Sequence, residues 1–219
     1  MDKKVYNTPM NIPQGPILVV EDVPNIRDLL QYTLKFKGYP VITARNGEDA
    51  LEKITHERPA LVISDVLMPI MDGFDLCQRI RGNPETRAIP IILISATYVA
   101  PEDRAFALRL GAVRFLEKPV DTDEFLLTVA EILTQGLPPI PEPMSDRDFY
   151  TEYRDRLETK LKQKAKQITR TLRLLETLPE EQKPPFQKIL EEETSHRESI
   201  QRELDQIRRL LVEEQNAKT

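Results

Sequence analysis

A doubly wound α/β domain built on a five-stranded parallel sheet, followed by an all-α antiparallel helical hairpin, is the fold this chain predicts. Three observations carry the prediction. Short apolar runs alternate with helix-length amphipathic stretches from residue 17 to about 135. Four of those runs end in chemistry: Ile17–Val20 leads into Glu21-Asp22, Leu61–Ser64 into Asp65, Ile91–Ile94 into Ser95, and Val113–Glu117 into Lys118-Pro119. Beyond Ser145 the apolar residues change to helical spacings of 3 and 4 over two long stretches.

The elements follow in order. The first strand runs through 17–22, and Pro24 suits the first turn of the helix behind it. Ile26, Leu29, Leu30, Thr33, Leu34 and Phe36 keep helical spacing up to Gly38. Tyr39–Ala44 is a short second strand, Asn46-Gly47 turns the chain, and Ala50, Leu51 and Ile54 mark a second helix stopped by Pro59. The strand ending at Asp65 leads into Met68-Pro69-Ile70-Met71-Asp72-Gly73, a loop with turn glycine Gly73 whose Asp72 caps the next helix. Phe74, Leu76, Cys77 and Ile80 are that helix's apolar positions, and Pro90 precedes the fourth strand. Pro101-Glu102-Asp103 opens a helix that Gly111 closes. A fifth helix starts at Asp121-Thr122-Asp123 and ends near Gln135-Gly136.

Five βα units in about 120 residues require a parallel sheet covered on both faces. Right-handed crossovers then favour the strand order 2-1-3-4-5, with its switch point between strands one and three. Parallel pairing gathers the C-terminal strand ends, so Glu21, Asp22, Asp65, Ser95 and Lys118 converge on the edge where open α/β sheets bind ligands. Three carboxylates, a hydroxyl and an amine at that edge point to a magnesium-dependent, phosphoryl-accepting site.

Composition narrows the setting. The 219 residues suffice for one large domain or two small ones, and 40% hydrophobic with 31% charged residues suits a soluble protein. The apolar runs are far shorter than the roughly 20 residues of a membrane span. Residues 1–7 carry charges with no apolar core behind them, which argues against a secretory signal. Cys77 is the single cysteine, so no internal disulfide is expected and a reducing cytoplasm is. The net charge of −5 lies wholly in residues 1–144, with 15 basic against 20 acidic residues; the remainder carries 16 of each. Neither part has the basic excess of a nucleic-acid binder.

Four prolines within Leu137–Pro143 make a stiff, extended spacer. The domains expected are therefore 15–136, a proline-rich linker over 137–145, and a helical hairpin over 146–215. Phe149, Tyr153, Leu157, Leu161, Ala165, Ile168, Leu172 and Leu175 form one stripe, predicting a helix over 146–177. Pro179 and Pro184-Pro185 break it, and a second stripe runs Phe186, Ile189, Leu190, Ile200, Leu204, Ile207, Leu211. A fold about residue 181 sets Lys160 near Glu203 and Arg170 near Glu193. One hairpin has a single apolar seam and little core, whereas two hairpins make a four-helix bundle, so a homodimer through 146–215 is expected.

Residues 15–136 resemble a two-component response regulator receiver domain. The resemblance rests on Val19-Val20-Glu21-Asp22, Asp65-Val66-Leu67-Met68-Pro69-Ile70-Met71-Asp72-Gly73, Ile94-Ser95-Ala96 and Lys118-Pro119. It implies that Asp65 accepts a phosphoryl group from a sensor histidine kinase or phosphotransfer protein. It also implies Mg²⁺ held by Asp22, Asp65 and the Leu67 carbonyl, with Glu21 reaching it through water. Lys118 and Ser95 neutralise and hydrogen-bond the phosphoryl oxygens. As a switch, Ser95 moves toward the phosphoryl group and Phe115 swings inward, remodelling helix 4, strand 5 and helix 5. Thr97 and Leu67 flank the site and tune dephosphorylation.

No separate enzymatic output is expected, because the last 75 or so residues make a hairpin rather than a catalytic domain. The hairpin is expected to signal through a downstream protein partner whose identity the sequence does not state. Two rival outputs compete with it. His196 on the second helix is a candidate relay acceptor, although it lacks the flanking proline and acid usual in kinases and more simply fixes register at the seam. The basic run 160–173 is a candidate nucleic-acid contact, without helix-turn-helix spacing or an aromatic platform to support it. His56, at the end of the second helix, reads as surface.

Overall fold

The computed structural model describes residues 15–135 and 139–216. The reading of residues 1–7, Gly136 and the Leu137-Pro138 start of the spacer lie outside the described residues. The chain divides into two compact units, Met1–Met144 and Ser145–Thr219.

In the first unit, β1 (Ile17–Val20), β2 (Val41–Ala44), β3 (Leu61–Asp65), β4 (Ile91–Ser95) and β5 (Arg114–Glu117) form one parallel sheet in the order β2-β1-β3-β4-β5. The helices α1 (Pro24–Phe36), α2 (Gly47–His56), α3 (Gly73–Gly82), α4 (Pro101–Arg109) and α5 (Thr122–Gln135) alternate with the strands. The expected strand order and helix positions are found. β1 is two residues shorter than its apolar-plus-acidic run, so Glu21 and Asp22 stand beyond the last strand pair, in the loop. β2 likewise starts at Val41 rather than Tyr39.

Period-two alternation sorts the core. Ile17, Val19, Leu61, Ile63, Ile92 and Ile94 point to one face and join Leu34 of α1 with Phe125, Val129, Ile132 and Leu133 of α5. Leu18, Val20, Val62 and Leu93 point the other way and are equally buried. Each such side chain contributes about 1.5–3 kcal/mol by leaving water.

Local chemistry sets the helix starts. Asn46 Oδ1 accepts from the Asp49 N–H at 2.9 Å, Asp72 Oδ1 from Asp75 at 2.7 Å, and Asp121 Oδ1 from Asp123 and Glu124 at 3.0 Å each. Pro24 and Pro101 stand at first helical positions, where a missing N–H costs nothing. Gly38 and Gly111 end α1 and α4 in the left-handed region, with φ of 88° and 98°.

The second unit is a pair of long helices, α6 (Asp146–Thr177) and α7 (Lys183–Asn216), joined by a 3-10 turn at Glu180–Gln182. Ser145 caps α6 by accepting from the Asp148 N–H at 3.2 Å. Pro184-Pro185 does not interrupt the chain as expected; it lies in the first turn of α7, where proline is tolerated. Lys164, in place of the expected Arg170, pairs with Glu193 at 2.7 Å, and Arg208 pairs with Glu158 at 2.8 Å. Phe149, Tyr153, Leu157, Ile200, Leu204 and Ile207 are buried, whereas Ala165 and Leu172 of the same predicted seam, with Ile189, are exposed.

Candidate functional site

The register of the sheet assembles the site. Val20 pairs with Ser64, Asp65 with Ile94, and Ser95 with Glu117, so four strands finish within one residue of a common line. The next residues along that line are Glu21, Asp22, Asp65, Ser95 and Lys118. Glu21, Asp22 and Asp65 each offer a carboxylate oxygen within 4.8 Å of the others. Lys118 Nζ lies 2.8 Å from Glu21 Oε2 and 2.9 Å from Asp65 Oδ2. Four of the five predicted residues are thus in mutual reach. The Lys118–Pro119 peptide is cis, and the Lys118 N–H donates to the Ser95 carbonyl at 2.8 Å.

Three carboxylates crowd one ammonium, and burial adds to the cost of ionising Asp65 and Asp22. Burial pushes the Asp65 carboxyl up to about 6; Lys118 opposes the rise, Glu21 adds to it, and the Val66 N–H, donating to Asp65 Oδ1 at 2.8 Å, opposes it. Asp22 is raised by burial and by the neighbouring Glu21 charge. Burial alone would lower Lys118, but Asp65 and Glu21 outweigh it and hold the ammonium above its usual range. An oxygen-lined pocket short of positive charge, in which the anionic forms are disfavoured, fits a hard divalent cation. Asp22, Asp65 and Glu21 would hold it, beside the half-buried Leu67.

Other residues hold this geometry that sequence periodicity does not reveal. Arg27 on α1 donates to the Glu21 carbonyl at 2.8 Å and the Asp22 carbonyl at 3.4 Å, tying the acidic loop to the helix. An arginine within two turns of an acidic pair was the available signal. Gly73 is no ordinary turn glycine. A Cβ there would lie 2.3 Å from the Asp65 carbonyl oxygen, and the Gly73 N–H donates to the Val66 carbonyl at 2.8 Å. Only hydrogen fits between α3 and the loop after β3. Gly73→Ala should therefore cost about 1–3 kcal/mol, the range of an overpacked interior. Urea unfolding checks it, and a midpoint equal to wild type would contradict the close approach.

Ser95 is fully buried, and its Oγ accepts from the Tyr98 N–H at 2.9 Å and the Thr97 N–H at 3.2 Å. Its hydroxyl is therefore engaged with the β4–α4 loop. Tyr98, absent from the sequence reading, stands edge-on to Phe74 at 5.3 Å between centroids, and Phe74 meets Phe106 at 5.1 Å. Phe115 is 2% exposed, with the Arg104 guanidinium 6.0 Å from its ring centroid. Cys77 is buried, its thiol pushed up to about 11 by burial, which suits a small core residue. His56 is exposed at the end of α2, and His196 is half-buried on α7.

Comparison with known proteins defines the class. The response regulator receiver domain model matches residues 17–130, just over half of the chain. A 14.6 kDa protein of Leptolyngbya boryana is 44% identical over 118 residues, covering 54% of this chain and 89% of the relative. The alkaline phosphatase synthesis transcriptional regulatory protein PhoP of Bacillus subtilis is 39% identical over 120 residues, covering 55% of this chain. That match takes in 49% of PhoP, and a comparable match takes in 26% of the response regulator PleD of Caulobacter vibrioides, so the chain spans half or less of these longer relatives. Among solved structures, the receiver domain of a signal transduction histidine kinase from Syntrophus aciditrophicus superposes with a TM-score of 0.52 at 39% identity, over 55% of this chain and 91% of that one. The chain belongs to the response regulator receiver family of two-component signalling. The family match ends in α5 and leaves α6 and α7 outside it. Among the described residues, no helix is long and apolar enough to cross a membrane.

Proposed function

We propose that Asp65 accepts a phosphoryl group and that the hairpin conveys the result as a dimerising output module. The observation that supports this best is the single ammonium of Lys118 shared by Glu21 and Asp65 at 2.8 and 2.9 Å, at the ends of β1 and β3. An Asp65 oxygen attacks the phosphorus of a phosphohistidine on a sensor kinase or phosphotransfer protein. A P–O bond forms, the P–N bond breaks, and the leaving imidazole takes up a proton. Mg²⁺, when bound by Asp22, Asp65, Glu21 and the Leu67 carbonyl, supplies charge neutralisation for the transferring group. Lys118 is then released from Asp65 to pair with a phosphoryl oxygen, so transfer relies on positioning and electrostatics rather than on protein covalent chemistry. The receiver promotes its own phosphorylation and dephosphorylation, the latter tuned by Leu67 and Thr97, and no separate catalytic domain is involved.

The switch has a definite local cost. If the Ser95 Oγ moves toward a phosphoryl oxygen, it leaves the Thr97 and Tyr98 N–H groups from which it accepts, each bond worth about 0.5–1.5 kcal/mol. The released loop carries Tyr98, whose ring meets Phe74, which in turn meets Phe106, and this passes the change to α3 and α4. Borohydride trapping of the acyl phosphate followed by peptide mapping tests the acceptor; modification at any residue other than Asp65 would overturn it.

For the output, the exposed Leu172, Leu174, Ile189 and Val212 favour dimerisation in the cytoplasm. Sedimentation is expected to report twice the chain mass, and a monomer at tens of micromolar would rule the dimer out.

A further inference from the structure

The hairpin carries an exposed basic run on α6 and an exposed acidic run on α7 that, among the described residues, no ion pair joins across the seam; the exposed Glu192 meets only its neighbour Lys188, at 3.9 Å. On α6, Lys162, Lys166, Arg170 and Arg173 are exposed, spaced by three and four residues along one side. Ala165, Lys166, Thr169, Arg170 and Arg173 line a shallow groove of about 410 Å³, floored by the small Ala165 and Thr169 and walled by long cations. On α7, Glu191, Glu192 and Glu198 are exposed, with Ile189 (43% exposed) one turn before Glu192. The Lys164–Glu193 and Glu158–Arg208 pairs bracket the level of these runs within one hairpin: residue 166 of α6 stands between the levels of 191 and 200 on α7.

Burial is graded along the same hairpin. Phe149, Tyr153, Leu157, Ile200, Leu204 and Ile207 are 0–4% exposed at the end remote from the turn. Toward the turn, Leu172 is 46% exposed, Leu174 39% and Ile189 43%. Val212, at the far end, is 55% exposed, but three of the four exposed large apolar residues of the hairpin lie with the charge runs, at 162–198.

We propose that this turn-proximal half is the docking surface for a second copy of the chain, with the α6 groove of each protomer receiving the α7 ridge of the other; this rests on the dimer reading and narrows it. Charge selects the pairing. Setting α6 against α6 of the partner would oppose Lys166 and Arg170 to themselves, and setting α7 against α7 would oppose Glu191 and Glu192. Crossing α6 onto the partner's α7 matches opposite signs along both seams of a two-fold bundle. It also covers Leu172 and Ile189. With the hairpins overlapping along their full length, the two turns sit at the same end of the bundle: a full-length head-to-tail overlap would carry the cations of one chain away from the acids of the other.

The test uses the full chain with Lys166→Glu/Arg170→Glu as one variant and Glu191→Lys/Glu192→Lys as the other, all at exposed positions. Each alone is expected to weaken self-association at least tenfold in sedimentation at low salt, with helix content unchanged by circular dichroism. Mixed in equal amounts, the two are expected to recover the dimer as a heterodimer. Leu172→Lys, which leaves those charges in place, should weaken association as well. If wild type is a dimer and all three variants dimerise as tightly as wild type, the interface is elsewhere and the dimer reading survives alone. Variants that weaken singly but fail to rescue each other would overturn the crossed pairing. A wild-type monomer that binds duplex DNA in a salt-dependent way through Lys166 and Arg170 would overturn both readings and assign the groove to nucleic acid.

Discussion

Asp65→Asn is expected to take up no label from acetyl phosphate with Mg²⁺ where wild type labels stoichiometrically, while its metal-free form becomes more stable. The first effect follows from removing the nucleophilic oxygen that faces Lys118 at 2.9 Å. Persistent stoichiometric labelling of the variant would overturn the acceptor assignment. The second follows from linkage. Burial raises the Asp65 carboxyl to about 6 in the folded chain from 3.8. A carboxyl raised on folding contributes stability that is complete below its unfolded value and is lost as pH climbs through its folded value. Between about pH 4 and pH 7 the metal-free protein therefore loses up to about 3 kcal/mol through this group. Asn carries no such slope. At pH 7.5 in EDTA the variant should melt above wild type, and Mg²⁺ should raise wild type more than the variant, because the cation compensates a charge the variant lacks. Equal melting temperatures at pH 7.5 without metal would contradict the buried, disfavoured carboxylate.

Lys118→Met is expected to be the most destabilising single change at the site. Glu21 is 1% exposed, and the Lys118 ammonium is the cation it faces. Removing one member of a buried pair leaves the other charge uncompensated, at about 3–5 kcal/mol. Protonation of Asp65 relieves part of the crowding, so the loss near pH 7 should be about 3 kcal/mol and smaller at pH 5. Urea unfolding at the two pH values in EDTA measures it. A loss independent of pH would mean that Lys118 contributes packing of its stem rather than charge. The same substitution is expected to leave Mg²⁺ binding in place but slow phosphorylation, since no ammonium remains for the phosphoryl oxygen.

Much of this architecture was legible in order along the chain. The bounds of α6 are readable because both ends are local: Ser145 accepts from the Asp148 N–H, and Pro179 follows the last turn. The strand order is readable because parallel βα units admit few handed topologies. Asp72 as a cap is readable for the same local reason. Which side chains pair between α6 and α7 was not: Glu193 meets Lys164 rather than Arg170, and the start of α7 also differs. Pro184-Pro185 is compatible both with a break before a helix and with its first turn, and the structure chooses the first turn.

What the chain's residues determine alone is which chemical groups arrive at the sheet edge, since side-chain period and strand-end position are properties of neighbouring residues. Which groups then share a proton, a cation or a hydroxyl is decided by tertiary structure. Lys118 meets Glu21 across 97 residues of sequence; Ser95 spends its hydroxyl on Thr97 and Tyr98; Gly73 brings α3 within a hydrogen's width of Asp65. Those choices turn on ångström differences in how packed elements approach one another, and no local period in the sequence carries distances of that kind.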